Sequence, residues 1–124
     1  MKFLANKSVI GKKGEDLVCK DLQKKGYKLL KRNYFSQQGE IDIIVQKNNV
    51  IVFVEVKTRK SIKFGLPAEA VTKSKQQKII KTAFTYLREE KVINKQYEFT
   101  VAEVYLDDKE DLQKINYIHN AFIL

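Results

Sequence analysis

Apolar residues recur at helical spacing in two stretches of the chain, and the first stretch covers residues 11–25. Within it, Val18, Cys19 and Leu22 fall on one face, while most other positions are lysine, glutamine or acidic residues. Gly26 follows the last helical position, where glycine commonly ends a helix because it adopts positive φ at little cost. The pattern therefore predicts an amphipathic helix near the start of the sequence.

A second helix is predicted from about residue 73 to about residue 90. Thr72 and Ser74 are both suitable N-cap residues, because a hydroxyl oxygen can accept a hydrogen bond from a backbone N–H group in the first turn. The apolar period of this stretch identifies the side of the helix that we expect to be buried. Its members are Ile79, Ile80, Ala83, Phe84 and Leu87.

Five further segments are rich in valine, isoleucine and aromatic residues, a composition typical of β-strands. They are residues 27–35, 39–46, 50–58, 99–106 and 115–122. With the two helices they give the order α-β-β-β-α-β-β, which predicts a mixed sheet flanked by helices in one α/β domain over residues 1–124. The length of 124 residues is typical of one domain and too short for two.

The turn between the second and third strands fixes their pairing. Asn48 and Asn49 form a plausible two-residue turn, because asparagine tolerates positive φ. Strand side chains alternate between the two faces of a sheet, so one face of this hairpin is uniformly apolar and should be core. The apolar face carries Ile41, Ile43 and Val45 opposite Val52, Val54 and Val56. On the other face the turn pairs Ile44 with Phe53, Asp42 with Glu55, and Glu40 with Lys57.

Two acidic residues directly opposite each other are destabilising in a sheet, so something must offset the pairing of Asp42 with Glu55. A shared proton, the neighbouring Lys57 or a bound divalent cation could each do so. Two carboxylates beside a lysine suit Mg²⁺, which takes few protein oxygens and keeps several waters. The alternative is a solvent-facing strand with ordinary surface charges. Ile44 and Phe53 on the same face favour partial burial over that alternative.

Glu15 could add a third acidic group. Its spacing from Val18 and Leu22 places Glu15 on the buried stripe of the first helix, near the amino-terminal end. A helix packed on the sheet could bring it to the hairpin. Alternatively, Glu15 is a first-turn acid that interacts favourably with the helix dipole.

The formal net charge of +9 is unevenly distributed along the chain. Residues 1–32 carry +7 and residues 72–91 carry +4, whereas residues 92–124 carry −3. A polyanion partner would explain this distribution, and a generally lysine-rich composition would explain it equally well. The candidates for phosphate contacts are Arg59, Lys60 and Lys63, together with Lys73, Lys75, Lys78 and Lys81 of the second helix.

Several kinds of protein are excluded by composition. A single cysteine, Cys19, rules out an intramolecular disulfide and a multi-cysteine zinc site. No apolar run is long enough for a membrane helix or a signal peptide, so we expect a cytoplasmic protein without a membrane partner. The only histidine, His119, is expected to be structural.

The order of short motifs resembles the YraN-type bacterial family of predicted endonucleases, in the PD-(D/E)xK nuclease superfamily. The motifs are Gly11-x-x-Gly14-Glu15, Gly26-Tyr27, Arg32-Asn33-Tyr34, Gly39-Glu40-Ile41-Asp42-Ile43-Ile44, Phe53-Val54-Glu55-Val56-Lys57-Thr58-Arg59, Phe64-Gly65, Glu69-Ala70-Val71, Lys75 and Asn120-Ala121-Phe122. They extend over nearly the whole chain. One departure is Glu98-Phe99-Thr100, where that family usually has Arg-Phe-Asp.

The resemblance implies a restriction-endonuclease-like fold, similar to that of archaeal Holliday-junction resolvases. It implies that Mg²⁺ or Mn²⁺ is held by Glu15, Asp42, Glu55 and the backbone carbonyl of Val56. Asp42, Glu55 and Lys57 would be the catalytic residues, with Lys57 as the catalytic lysine. By analogy with resolvases, which cut two strands together, a homodimer is also expected.

We therefore expect a metal-dependent endonuclease that hydrolyses phosphodiester bonds in DNA, with a branched or otherwise structured substrate. Arg59, Lys60, Lys63 and Lys75 would bind the nucleic acid. The first alternative is a non-catalytic nucleic-acid-binding module on the same fold. The second is an interaction protein that docks on a partner through its basic face.

Overall fold

Two helices and five strands follow one another in the predicted order in the computed structural model, which describes residues 8–60 and 71–122. The helices are α1 (Val9–Lys24) and α2 (Lys73–Glu89). The strands are β1 (Lys28–Ser36), β2 (Gly39–Lys47), β3 (Val50–Lys60), β4 (Gln96–Leu106) and β5 (Leu112–Ile118). The mixed α/β class is thereby confirmed. Neither of these two helices has the length and apolar character needed to cross a membrane.

The five strands of the described residues form one sheet and lie side by side in the order of the chain. β3 and β4 are parallel, with α2 in the connection between them, and the other three neighbouring pairs are antiparallel. The mixed sheet therefore has β3 at its centre. The end of β3 extends beyond the last pair of its ladder with β2 and continues beside β4.

The helices cover opposite faces of the sheet, so that the protein has three layers. On one face, α1 buries the predicted Val18, Cys19 and Leu22 against a cluster of sheet residues. These sheet residues include Ile43, Val45, Val52, Val54, Ala102 and Val104. On the other face, α2 packs against Ile44, Phe53 and Phe99, and Phe53 stacks on Phe99 with 5.5 Å between ring centroids. Both faces of the central hairpin are therefore core.

The buried stripe of α2 differs from the predicted one. Ile79, Ile80 and Ala83 are buried as expected, but Phe84 is 40% exposed and Leu87 is only partly buried. Tyr86 takes the core position instead, because its ring packs edge-on against Tyr34 and Phe53. Phe84 contacts the ring of Tyr97 at the margin of the same cluster.

The alternation of faces along β2 is interrupted at Asp42. Ile43 belongs to the cluster under α1, whereas Ile41 packs in the cluster under α2 together with Tyr34 of the neighbouring strand. The prediction that Ile41 shares a face with Ile43 is therefore wrong. The physical reason is Asn33 in β1, whose φ of 51° is left-handed and interrupts the pleat opposite Asp42.

The last strand also differs from its predicted bounds, because β5 ends at Ile118 rather than at residue 122. Asn120 has a φ of 53° and turns the chain back toward the sheet. The N–H group of Ala121 then donates to the carbonyl oxygen of Phe99 (2.9 Å), and Phe122 is buried in the cluster under α2.

Each helix start is capped by a hydroxyl side chain. The Oγ atom of Ser8 accepts a hydrogen bond from the N–H group of Gly11 (2.9 Å), and Oγ1 of Thr72 accepts one from Lys75 (3.1 Å). At the other end of α1, Gly26 has a φ of 93° and is the predicted stop. There the N–H groups of Gly26 and Tyr27 donate to carbonyl oxygens of the last turn, which closes a Schellman motif.

A close approach of α1 to β3 depends on Gly14. A Cβ atom on this residue would lie 1.9 Å from Oγ1 and 3.0 Å from Cβ of Thr58. Because glycine has no Cβ, the helix can approach the strand at van der Waals contact. This contact fixes the position of the next residue of α1, Glu15, relative to the end of β3.

We expect Gly14→Ala to lower the free energy of unfolding by about 1–3 kcal/mol, because the added methyl group overlaps Thr58. The measurement is urea unfolding followed by circular dichroism. Gly11→Ala is the matched control, since its Cβ would meet only Oγ of Ser8 at 3.2 Å and alanine favours helix. Equal stability of Gly14→Ala and wild type would contradict a tight contact at this point.

Candidate active site

A cleft of about 650 Å³ opens where the ends of the central hairpin meet the amino-terminal turns of both helices. The walls include residues of β2 and β3, the first turn of α1 and the first turn of α2. Asp42, Glu55, Val56, Lys57, Glu15 and Lys75 all line it. Six of the predicted site residues are therefore brought together in one place, although the sequence separates them by up to 60 positions.

The ladder between β2 and β3 ends just before the acidic residues. The observed pairs run from Lys47↔Val50 to Ile43↔Val54, in the predicted register. The expected ladder pairs of Asp42 with Glu55 and of Glu40 with Lys57 are not formed. Instead, Oδ2 of Asp42 accepts a hydrogen bond from the backbone N–H group of Val56 (2.8 Å). Asp42 therefore satisfies a backbone donor that the ladder no longer reaches.

Asp42 and Glu55 nevertheless meet, and each is only 6% exposed. Burial raises the pKa of Glu55 to about 7, and the negative charge of Asp42 is the next largest cause of the increase. A hydrogen bond between the two side chains adds to it, while Lys75 acts in the opposite direction. The prediction of a buried like-charge pair is confirmed, and a solvent-facing strand with ordinary charges is wrong.

Lys75 of α2 forms an ion pair with the glutamate of this pair. Its Nζ atom lies 2.7 Å from Oε2 of Glu55, which is 7% exposed, while the lysine side chain is 49% exposed. Lys75 was expected to bind phosphate instead. Its contact with Glu55 joins residues 20 positions apart on different elements, so hydrophobic patterning carries no signal for it.

Lys57 also lines the cleft and is half-buried. Within residues 8–60 and 71–122, its ammonium group forms no ion pair, and in particular none with Glu40. Lys57 alone therefore does not neutralise the acidic pair. Lys57 sits on the cleft wall without being held by a neighbouring carboxylate of the described chain.

Glu15 lies on the buried stripe of α1, as predicted, and is 3% exposed. Nη2 of Arg32 in β1 lies 3.6 Å from Oε1 of Glu15 and 2.8 Å from Oδ1 of Asp16. Arg32 thus ties the first helix to the edge of the sheet, a role that sequence reasoning missed. Among the described residues, no three acidic, histidine or cysteine side chains gather closely enough to form a ready metal-binding group. Glu15 lines the cleft without joining Asp42 and Glu55 in such a group.

The predicted phosphate ligands beyond the end of the hairpin lie in different surroundings. Nζ of Lys60 is 3.3 Å from Oε2 of Glu110, in the turn between β4 and β5. Arg59 is half-buried next to Tyr105 of β4. Lys63 lies outside the described residues. On α2, Lys73 and Lys78 are exposed, and Lys78 lines the cleft.

The departure at Glu98-Phe99-Thr100 lies in β4, outside the lining of the cleft. Nδ1 of His119 lies 3.4 Å from both Oε1 of Glu98 and Oγ1 of Thr100. None of these three residues is among the described residues that line the cleft. They connect β4 to the end of β5, in keeping with the structural role expected for His119.

The raised pKa of Glu55 predicts a pH dependence of stability. Its folded-state pKa of about 7 exceeds the ordinary value of 4.5, so the folded protein keeps a proton that the unfolded chain loses. This contribution therefore destabilises the fold as the pH rises from about 4.5 to about 7. Glu55→Gln removes it, so the stability of the variant relative to wild type should increase over this range.

Urea unfolding of both proteins between pH 4 and pH 8 provides the measurement. Glu90→Gln, at the exposed C-cap position of α2, is the control for loss of a glutamate. A constant difference between Glu55→Gln and wild type at every pH would contradict the buried, proton-retaining pair.

Comparison with known proteins places this arrangement in a family. A family model described as "Uncharacterised protein family UPF0102" matches residues 14–107. A UPF0102 protein of Caldicellulosiruptor saccharolyticus is 45% identical over 117 residues, which are 94% of this chain and 99% of the relative. A UPF0102 protein of Caldanaerobacter subterraneus subsp. tengcongensis is 49% identical over 118 residues, or 94% of this chain and 97% of the relative. The chain therefore belongs to the UPF0102 family.

Proposed function

We propose that this protein is a metal-dependent endonuclease of the cytoplasm that hydrolyses phosphodiester bonds in DNA. The observation that carries the proposal is the buried pair of Asp42 and Glu55 beside Lys57, in a cleft between two helix amino termini. A protein that only binds a partner has no need for two carboxylates held together away from water, since both burial and repulsion oppose their charge. The motifs that resemble PD-(D/E)xK nucleases contain the same three residues.

The acidic pair fits a divalent cation. Mg²⁺ commonly binds one or two protein carboxylates and retains several waters, so Asp42 and Glu55 suffice without a third acid. Burial and then the charge of Asp42 raise the pKa of Glu55, and a bound cation would favour the charged form of the carboxylate against both. Asp42, Glu55 and the carbonyl oxygen of Val56 would hold Mg²⁺ or Mn²⁺, and Glu15 is the further ligand that the resemblance supplies.

Each residue would have a defined part in hydrolysis. A bound divalent cation supplies Lewis-acid polarisation of the phosphodiester and lowers the pKa of a coordinated water. Asp42 is kept in place by the N–H group of Val56, and Gly14 lets α1 bring Glu15 to the same cleft. The ammonium group of Lys57 would stabilise the negative charge that develops on the phosphoryl oxygens in the transition state.

The surroundings of the cleft favour a phosphate backbone as the substrate. The first turns of α1 and α2 both lie on its wall, and helix amino termini attract anions through their free N–H groups and dipoles. Lys78 adds positive charge at the opening, and Arg59 and Lys60 extend it along the end of β3. Lys63 is the remaining residue that the sequence predicts to contact phosphate. Branched DNA as the substrate and a homodimer as the assembly are proposed because of the resemblance to resolvases.

The test is cleavage of plasmid, single-stranded and four-way-junction DNA with Mg²⁺, Mn²⁺ or EDTA. Lys57→Ala should lower the metal-dependent cleavage rate by on the order of a hundredfold or more, because it removes transition-state stabilisation. DNA affinity should change little, since a single lysine contributes at most one phosphate contact. Glu40→Ala is the matched control, because it changes a charged residue of the cleft wall outside the proposed ligand set.

If Lys57→Ala cleaved DNA at the wild-type rate, the proposed catalytic role of this lysine would be wrong. If wild-type protein cut none of the substrates with either metal but bound DNA in a salt-dependent manner, the non-catalytic binding module would be the correct function. If the protein showed no salt-dependent DNA binding either, the correct function would be that of an interaction protein that docks on a partner.

A further inference from the structure

The contact between Lys75 and Glu55 has a consequence for how the cleft accepts a metal. The ammonium group lies 2.7 Å from a carboxylate oxygen of the acidic pair, which is the position that a positive ion would be expected to take. The carboxylate is buried, whereas half of the lysine side chain reaches solvent. Lys75 therefore extends from the surface into the site rather than being part of the core.

The location of Lys75 on its helix is unfavourable for a cation. It belongs to the first turn of α2, three residues after the cap Thr72, and that turn contains no acidic residue. The amino-terminal end of a helix carries partial positive charge, which disfavours a lysine there. The negative charge of the acidic pair, which lies on β2 and β3, offsets this unfavourable position.

The ammonium group lies 2.7 Å from Oε2 of Glu55, so it would repel a divalent cation that coordinates the same oxygen in this poorly solvated place. Binding of the divalent cation therefore requires the side chain of Lys75 to move away. Its four-carbon stem is flexible and already half-exposed, so the movement needs no change in the position of α2.

After displacement, the ammonium group would remain at the opening of the cleft, close to the amino terminus of α2, where an anion would stabilise it. A phosphodiester in the cleft provides that anion. We propose that Lys75 is a displaceable internal cation that couples the binding of a divalent metal to the binding of the DNA backbone. The inference rests on the proposed function, because it takes Asp42 and Glu55 as the metal-binding pair.

Such coupling is reciprocal. Without DNA, Lys75 competes with the metal and weakens its binding, and with DNA the displaced lysine is stabilised, so both ligands bind more tightly together. The protein would thus hold the metal strongly only when a phosphate backbone is present. Lys75 is a positioning residue in this scheme, since it acts through the carboxylates and through the phosphate.

The experiment is calorimetric titration of the full chain with MnCl₂ in the absence of DNA. Lys75→Met should bind Mn²⁺ more tightly than wild type by on the order of tenfold, because the competing ammonium group is gone. Lys73→Met is the matched control, since it removes the same charge from the same helix at a residue outside the lining of the cleft. Lys75→Gln gives a second version of the test if Lys75→Met is poorly folded.

A second titration adds a saturating short DNA duplex, with Lys57→Ala in every protein so that the duplex stays intact. DNA should increase Mn²⁺ affinity when Lys75 is present and should increase it much less in the Lys75→Met background. Mn²⁺ affinity that is equal in wild type and Lys75→Met, or lower in the variant, would overturn the inference and leave the nuclease proposal standing. Mn²⁺ binding that is absent from wild type and Lys75→Met alike would overturn the proposed function itself.

Discussion

The fold holds two carboxylates side by side, away from water, at the point where β2 and β3 part. Asp42 and Glu55 are both buried, and burial together with the charge of Asp42 raises the pKa of Glu55. Two contacts offset the repulsion between them: the N–H group of Val56 donates a hydrogen bond to Asp42, and the ammonium group of Lys75 lies beside Glu55. The raised pKa of Glu55 favours its neutral form as well. The ladder of the hairpin is complete from Ile43↔Val54 to the turn without including the acidic pair. The acidic pair is therefore unfavourable for folding. The proposed metal-binding role would explain its presence.

The rest of the architecture serves to surround this pair. The crossover from β3 to β4 puts α2 on one face, so that its first turn and Lys75 arrive beside Glu55. On the other face, Gly14 allows α1 to approach Thr58 closely, which brings Glu15 to the same cleft. The first turns of both helices line this one cleft although the two helices are far apart in the sequence. The combination of acidic oxygens with positive helix ends is suited to a metal ion and a phosphate together.

The sequence predicted those parts of the structure that depend on local pattern. The Asn48-Asn49 turn fixed the register of the hairpin, and the apolar periods located both helices and the burial of Glu15. Contacts that depend on three-dimensional packing were not predictable. The left-handed Asn33 transfers Ile41 to the other face, and the ring of Tyr86 displaces Phe84 from the core. Likewise, the ion pair of Lys75 joins two elements whose relative position is set by the crossover rather than by any sequence period.

The most direct test of the central claim is to locate a bound Mn²⁺ ion by its paramagnetic effect on the NMR spectrum at neutral pH. Substoichiometric Mn²⁺ should broaden the amide resonance of Val56 first, because this N–H group donates to Asp42 in the proposed site. The turn between β4 and β5 is the internal comparison, since Asp107, Asp108, Glu110 and Asp111 make it acidic and could attract cations without a built site. Selective broadening of Val56 and its neighbours in the cleft is the predicted result. Broadening that begins at the turn and leaves Val56 sharp would contradict the assignment of the buried pair as a metal site.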